Sequence, residues 1–538
     1  MELIFTDKNL NILRKNIKMT SNQQKEADLL MENKLSLHSN LDILEFREGI
    51  DWSYQHILSP RTYQVYIHSL SYLNSALYIF EHNKQKEYYE KAEAVIESWL
   101  NYYLRNNDAS NNIIWAEHAV ANRLTTLLYF LSLKNESTSN YELILEVIYK
   151  HLDFLIDPVN YKETNHGLMM DLSILITSLF LNDKIKKENY ITIARHRVEK
   201  LILRDFSYQG AHLENSPEYH MLVLKLLKSI LGIFKELEIN TDYRINLIIE
   251  KAKKYMSFII NSNNEIPLLG DTSFRIIKDK KSYNDYIDYE AGISVFNNKK
   301  NLSTLIFNCG FRNRGHKQRD DLSFIYSLKG QNIFTDGGKY SYDKSSDFVK
   351  FIDSALAHNT FTVRNFDYPL KINEKINLKT ATCTQDYKYV VGEMIFEEIQ
   401  LKRHLVLFDD DCIVIFDEGF SNKKVEWIQN FIFDEEVQLS KFQNKKLMIK
   451  TEKNNFLLKF IDSDEQIKTL FGHKEYACIS KKFNELIDTY RIENISNGKK
   501  CSLVTLFTPS NKQEHKVQFQ GKKLELIYKE KTIVIDLQ

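Results

Sequence analysis

Four short segments concentrate the His, Tyr, Asn and Asp side chains that can move protons, hold carboxylates or bind metals. Glu163-Thr164-Asn165-His166-Gly167 precedes an apolar stretch, where Asn or Thr could equally cap a helix. Glu214-Asn215-Ser216-Pro217-Glu218-Tyr219-His220 opens another. Ser followed by Pro is what helix initiation requires, but it leaves the adjacent Tyr-His pair unexplained. A buried Tyr hydroxyl that simply finds a partner is the structural alternative. Arg312, Arg314, Lys317 and Arg319 surround His316 just ahead of a strand-like run. They read as a local positive patch able to hold an anion, or as a solvated turn. Thr335-Asp336-Gly337-Gly338 and Ala357-His358-Asn359-Thr360 fall at the ends of successive predicted strands. Asp-Gly-Gly there is commonly a turn, and the histidine a satisfied core residue.

The elements that must carry these segments change character along the chain. Tyr219 to Leu237 places Val223, Leu226, Leu227, Ile230, Phe234 and Leu237 at three- and four-residue steps, the pattern of an amphipathic helix. Similar stretches run over 63–81, 88–103, 119–133, 141–155 and 167–181. Helices in series without intervening strands predict helical hairpins wound into a bundle or toroid. Near residue 280 the period shortens. Short β-rich runs follow, from LSTLIFNCG through RHLVLFDDDCIVIFDEG to LELIYKE and KTIVIDL, and Phe408 to Cys412 reads as a hairpin turn. Consecutive strands with tight turns predict an antiparallel sandwich or barrel. The expected division is a helical domain over 1–280 and a β domain over 289–538, with the charged run 279–288 as linker.

Composition bounds the function. At 538 residues the chain is too long for one ordinary core. With 43% apolar and 27% charged residues it reads as a soluble globular protein. Lys+Arg and Asp+Glu both total 72, so neither a nucleic-acid coat nor a basic membrane-surface protein is expected. The five cysteines, Cys309, Cys383, Cys412, Cys478 and Cys501, form no CxxC pair, which argues against a disulfide framework or a cysteine zinc site. The most apolar run, 172–181, is too short for a membrane span. The start, MELIFTDKNLNILRKN, lacks the apolar core of a signal peptide, so the expected location is cytoplasmic.

In this order, on a helical-then-β layout, the motifs NHG, SPEYH, GHKQRDDLSF, TDGG and AHNT resemble those of the heparinase II/III family of polysaccharide lyases, over roughly Trp52 to Thr360. The resemblance implies an α+β protein: an N-terminal incomplete (α/α) toroid of helical hairpins followed by a C-terminal antiparallel β-sandwich, with the active site in the cleft between them. It implies β-elimination at uronic-acid linkages of an acidic polysaccharide or oligosaccharide, giving 4,5-unsaturated uronate products. Such an enzyme must neutralise the uronate carboxylate, take the C5 proton and protonate the departing oxygen.

Carried over position by position, the resemblance makes Asn165 the carboxylate-binding amide and His166 a charge-neutralising group, or the base for one substrate stereochemistry. Tyr219 becomes the general acid, and also the base when proton and leaving group are syn. His316 becomes the partner imidazole; a phenol of ordinary pKa ~10 serves as base only beside a cation, which His316 with Arg312, Arg314 and Lys317 would provide. Trp115, His118, Arg123, Glu214 and Arg314 are expected to bind substrate, although Trp115 could equally be a packing aromatic. Glu214 and His220 would support the Tyr219 loop. Asp336 and His358 match two ligands of one structural divalent cation, with Gln318 at the third position. A Gln oxygen is a poor zinc donor and suits calcium better, so the site is expected to hold zinc with weakened affinity, calcium or no metal, and no organic cofactor is expected. Two alternatives stand beside the lyase. One is a non-catalytic acidic-glycan-binding or capsule-assembly protein on the same scaffold. The other is a glycoside hydrolase pairing Glu214 with Asp171 or Asp271. The oligomeric state is not set by the sequence.

Overall fold

The protein is described as a computed structural model covering all residues except 1, 18, 20–21, 38–40, 58, 107–112, 134–139, 441, 462–465, 511–515, 521–522, 529–530 and 537–538. The chain divides into two compact units. The first comprises Met1–Arg204 and Leu222–Ile245, the second Asp205–Met221 and Asn246–Gln538.

The first unit is helical. Its elements are α1 (Asp7–Asn16), α2 (Gln23–Met31), α3 (Pro60–Ser69), α4 (Leu73–Asn83), α5 (Lys86–Asn106), α6 (Glu117–Ser132), α7 (Tyr141–Ile156), α8 (Asn165–Ser178), α9 (Lys184–Asp205) and most of α10 (Pro217–Glu236). They pack as the hairpins of an incomplete (α/α) toroid, with α3, α7 and α8 on α6 and α4 on α5. In α8, Gly167, Leu168 and every residue from Met170 to Ser178 are buried, as expected of a helix apolar all round. The helix expected over 63–81 is two helices. Leu70 adopts φ 56°, and the Ser69 hydroxyl bonds the Tyr66 carbonyl and the Ser71 hydroxyl, turning the chain between α3 and α4.

The second unit carries the sheets. After α11 (Tyr243–Ile259), strands β3 (Tyr286–Asp288), β4 (Ile293–Asn298), β5 (Ser303–Asn308), β6 (Ser323–Leu328) and β7 (Gln331–Phe334) form an antiparallel meander in sequential order; β1 (Lys34–Leu35) and β2 (Leu44–Glu45) are a small ribbon in the first unit. The charged run 279–288, read as linker, thus ends in β3. One face of the meander packs Val295, Ile306 and Ile325 on Tyr255, Met256 and Ile259 of α11. The other buries Phe307, Phe324 and Phe334 against Leu405, Ile415, Trp427, Phe431 and Phe507 of a second, larger antiparallel sheet. That sheet is built on two long paired strands, Ile413–Ile432 and Tyr490–Pro509, which makes the unit a β-sandwich. Burial on both faces is why β5 and β6 read as continuous apolar runs. The expected hairpin closes with the Phe408 amide on the Cys412 carbonyl at 2.9 Å. The last two predicted runs form strands Lys523–Tyr528 and Lys531–Asp536; their ends at 529–530 and 537 lie outside the described residues.

Candidate active site

In the second unit, three loops meet around Tyr219. The first is the turn into α10. Pro217 takes the first helical position and the Ser216 hydroxyl accepts from the Tyr219 amide at 3.4 Å, which fixes where the phenol leaves the helix. Asn215, at φ 59°, donates its side-chain amide to the carbonyls of Asn313 and Gly315 at 2.6 and 3.0 Å, stitching this turn to the His316 loop. The third loop contains Gly270, at φ +52°, where a Cβ would lie 2.6 Å from the His316 carbonyl and 2.7 Å from that of Asn215. Only glycine lets the three backbones approach this closely.

The imidazole of His316 stacks on the Tyr219 ring, centroids 3.4 Å apart and planes 16° from parallel. His316 itself sits at φ 55°, a conformation uncommon for a non-glycine residue and held here by its neighbours. Its Nδ1 lies 3.1 Å from Asp271 Oδ2 and its Nε2 3.7 Å from Glu214 Oε2. The Tyr219 hydroxyl meets that of Tyr342 at 3.0 Å, and the Lys339 ammonium lies 5.4 Å from both ring centres. Glu218 is turned aside, accepting from the Ser273 amide and Arg275.

Burial pushes the Tyr219 phenol up to about 12; the hydrogen bond with Tyr342 opposes this, and the charges of Asp271, Glu218 and Glu214 reinforce it. The phenol is therefore held protonated, which suits an acid. The lowering by a basic cluster that the sequence suggests is not what surrounds it. Lys317 is buried among Asp320 and Asp321, and Arg319 bonds Asp367 and the Tyr368 carbonyl. Arg312 and Arg314 are exposed. His220 points inward, donating Nε2–H to the Ala252 carbonyl at 3.0 Å, and burial lowers its pKa to about 4. It ties the first turn of α10 to α11. Lys339 and Tyr342 follow the TDGG motif directly, but no spacing in the sequence ties them to Tyr219.

The first unit holds a second set. Thr164 caps α8, its hydroxyl accepting from the His166 amide, so the Asn165 side chain is not needed for capping. His166 Nδ1 meets Glu117 Oε1 at 2.8 Å, and that hydrogen bond lowers the Glu117 carboxyl to about 2. The His118 ring lies 5.6 Å from His166 and 5.5 Å from Tyr66. Gly167 is required because the Tyr161–Lys162 turn passes directly over it. Trp115 packs among Tyr103, His151 and Phe154, the packing alternative raised from sequence.

Two expectations are corrected here. Arg123 does not face substrate: it is fully buried, with its guanidinium donating to His151 and to the carbonyls of His68 and Ile114, over the Trp99 ring. Asp171, the candidate hydrolytic carboxylate, is likewise fully buried. It accepts from the Tyr161 hydroxyl at 2.8 Å with Arg197 at 3.7 Å, and burial raises it to about 8. Glu214 and Asp271 flank one imidazole instead of forming a free pair.

Gln318, Asp336 and His358 are each buried in the second unit. Asp336 Oδ1 and His358 Nδ1 lie 2.9 Å apart without hydrogen-bond alignment. Gln318 Nε2 donates to the Gly338 carbonyl at 2.9 Å and to Asp271 Oδ1 at 3.1 Å. Both carboxylate oxygens of Asp336, both ring nitrogens of His358 and Gln318 Oε1 are buried with no hydrogen-bond partner. Buried polar atoms in such numbers need a counterpart, which a divalent cation would provide. The donor set fits: carboxylate, imidazole and amide oxygen suit a hard or borderline ion. Among the described residues no group of three or more His, Cys, Asp or Glu is placed to hold a metal, so Gln318 would have to complete this set. None of the five cysteines is in a disulfide, and no helix among the described residues is long and apolar enough to cross a membrane.

The sequence matches the family model for the heparinase II/III N-terminus over residues 4–303 and that for the heparinase II/III-like C-terminal region over 289–480. A search of curated proteins finds no match. Among solved structures, heparinase III is similar with a TM-score of 0.80 at 15% identity, covering 98% of this chain and 92% of that one. The heparinase III BT4657 gene product with methylated lysines gives 0.76 at 15%, covering 97% and 91%. The heparan sulfate lyase HepC from Pedobacter heparinus gives 0.71 at 14%, covering 97% and 90%. At these identities the likeness shows the shared fold, and the sequence matches carry the assignment. The chain belongs to the heparinase II/III family and is a polysaccharide lyase, an enzyme of β-elimination.

Proposed function

We propose that this lyase cleaves uronic-acid linkages in an acidic polysaccharide or oligosaccharide and leaves a 4,5-unsaturated uronate. In that reaction the C5–H bond breaks, its electron pair forms the C4–C5 double bond, and the C4–O bond breaks as the departing oxygen takes a proton. The observation that carries the proposal is the protonated phenol of Tyr219, stacked on His316 and hydrogen-bonded to Tyr342. A phenol kept neutral by burial is suited to give its proton to the leaving oxygen. Its raised pKa favours the acid role over a second role as base.

For the C5 proton, the family resemblance offers His166. Its Nδ1 is engaged by Glu117, so Nε2 is the nitrogen left for chemistry. Asn165 has the amide to hold the uronate carboxylate, and Lys339 supplies positive charge beside Tyr219. At the Gln318–Asp336–His358 cluster a divalent cation would serve structure, tying three buried side chains of the sandwich together.

The test is a panel of heparan sulfate, hyaluronan, chondroitin, alginate and bacterial capsule glycans, followed by ultraviolet absorbance of the unsaturated product and by its mass. Absorbance growth on a uronate glycan is expected. A folded protein that produces none on every substrate contradicts the proposal, and saturated products with a new reducing end would indicate hydrolysis.

A further inference from the structure

Asp271 makes four bonds in four directions, and together they join the turn before Tyr219, the His316 loop and Gln318. Its backbone amide donates to the His316 carbonyl at 3.2 Å and its carbonyl accepts from the Ser216 hydroxyl at 3.0 Å. Of its carboxylate oxygens, Oδ2 faces His316 Nδ1 at 3.1 Å and Oδ1 accepts from Gln318 Nε2 at 3.1 Å. The backbone pair holds the turn before Tyr219 against the His316 loop. The side-chain pair reaches from the imidazole to Gln318.

The hydrogen-bond logic leaves little freedom. Gln318's inner amide group lies between two acceptors, the Asp271 carboxylate and the Gly338 carbonyl, so it must be the NH2. Oε1 therefore points the other way, where it is buried and without a donor. On its other side the same carboxylate can only accept, so Nδ1 of His316 is the donor that faces it. One acidic side chain thereby sets both the donor role of His316 Nδ1 and the direction of Gln318.

We propose that Asp271 is a positioning residue that couples the Gln318–Asp336–His358 cluster to His316: fixing Gln318 Oε1 on a cation fixes Gln318 Nε2, hence Asp271, hence the imidazole stacked on Tyr219. The proposal rests on the roles given above to Tyr219 and His316, but the coupling itself is readable without turnover. Only a carboxylate serves, because it can accept on both sides, whereas a carboxamide can accept from one donor and must present a donor to the other.

The experiment uses the full chain with 15N-labelled histidine, stripped with chelator and then titrated with calcium or zinc alone. The His316 signal is assigned by its loss in His316→Gln. In the wild type, a protonated Nδ1 is expected, and its signal should shift or sharpen as the cation binds. In Asp271→Ala, that signature and its cation response should vanish, with kcat lowered roughly 10–100-fold and KM within about twofold. If Asp271→Ala does not fold, Asp271→Asn decides: either the Nδ1 signature or the cation response must be lost. Retention of both in either variant overturns the proposal, as does a wild-type His316 that ignores both cations. Should no glycan yield unsaturated product while the imidazole signals behave as described, the lyase chemistry falls and the coupling stands. Product formation with both signals unchanged in the variants sinks the coupling alone.

Discussion

Tyr219 and His316 lie face to face, their ring centroids 3.4 Å apart, although 97 residues separate them in the chain. The stack places an imidazole on the phenol's face, where it orients the ring, while the hydroxyl is left to Tyr342 at 3.0 Å. Burial then decides the protonation state, pushing the phenol up to about 12. A raised pKa means that the neutral form persists above the ordinary tyrosine range. In alkaline ultraviolet titration, the difference between wild type and Tyr219→Phe should therefore stay flat to about pH 11. Ionisation of this phenol near pH 10 or below would show it to be poised as a base.

Asp171 gives a stability prediction with a defined sign. Its carboxyl is raised to about 8 chiefly by burial. The stability it contributes is fully present below the ordinary carboxylate range and is lost as pH rises through 8. Asp171→Asn cannot ionise and can still accept from Tyr161. Its Tm advantage over the wild type should grow by about 2–4 °C or more between pH 5 and pH 9. A constant difference across that range would mean the carboxyl is not held neutral.

Arg123 separates structure from binding. Its donors serve His151 and two backbone carbonyls deep in the first unit. Arg123→Lys keeps the charge but loses the fork, so unfolding free energy should fall by about 2–3 kcal/mol in denaturant titration. The KM of the folded fraction should not change. A raised KM with unchanged stability would restore Arg123 to the substrate.

These sites show what the sequence carried and what it did not. Local chemistry was legible: Ser216-Pro217 starts α10, Thr164 caps α8, and the change of period near residue 280 marks where strands begin. Asp336 and His358, read from two separate motifs, lie 2.9 Å apart. What failed was partner choice at long range. Arg123 looked like a binding cation because nothing in the sequence says that the His68 and Ile114 carbonyls meet its guanidinium. Lys317 looked like part of a surface patch, yet the Asp320 and Asp321 that follow it fold back to bury its charge. Asp271 was visible only as a spare carboxylate, because its importance lies in contacts 45 and 47 residues away.

The buried cluster predicts a cation-dependent stability. Chelator treatment should lower Tm, and calcium or zinc at about 100 times its dissociation constant should return about 2.7 kcal/mol. Asp336→Ala should remove that response. A Tm indifferent to chelator and to both ions would leave five buried polar atoms to be explained by ordered water instead.

The central claim is that the phenol of residue 219 passes a proton to the leaving oxygen of an eliminating uronate. The most direct measurement is unsaturated-product absorbance with wild type and Tyr219→Phe side by side on whichever uronate glycan the wild type cleaves. A fall of at least roughly 100-fold in kcat, with Tm unchanged, is the predicted result. Full-rate elimination by Tyr219→Phe would contradict it.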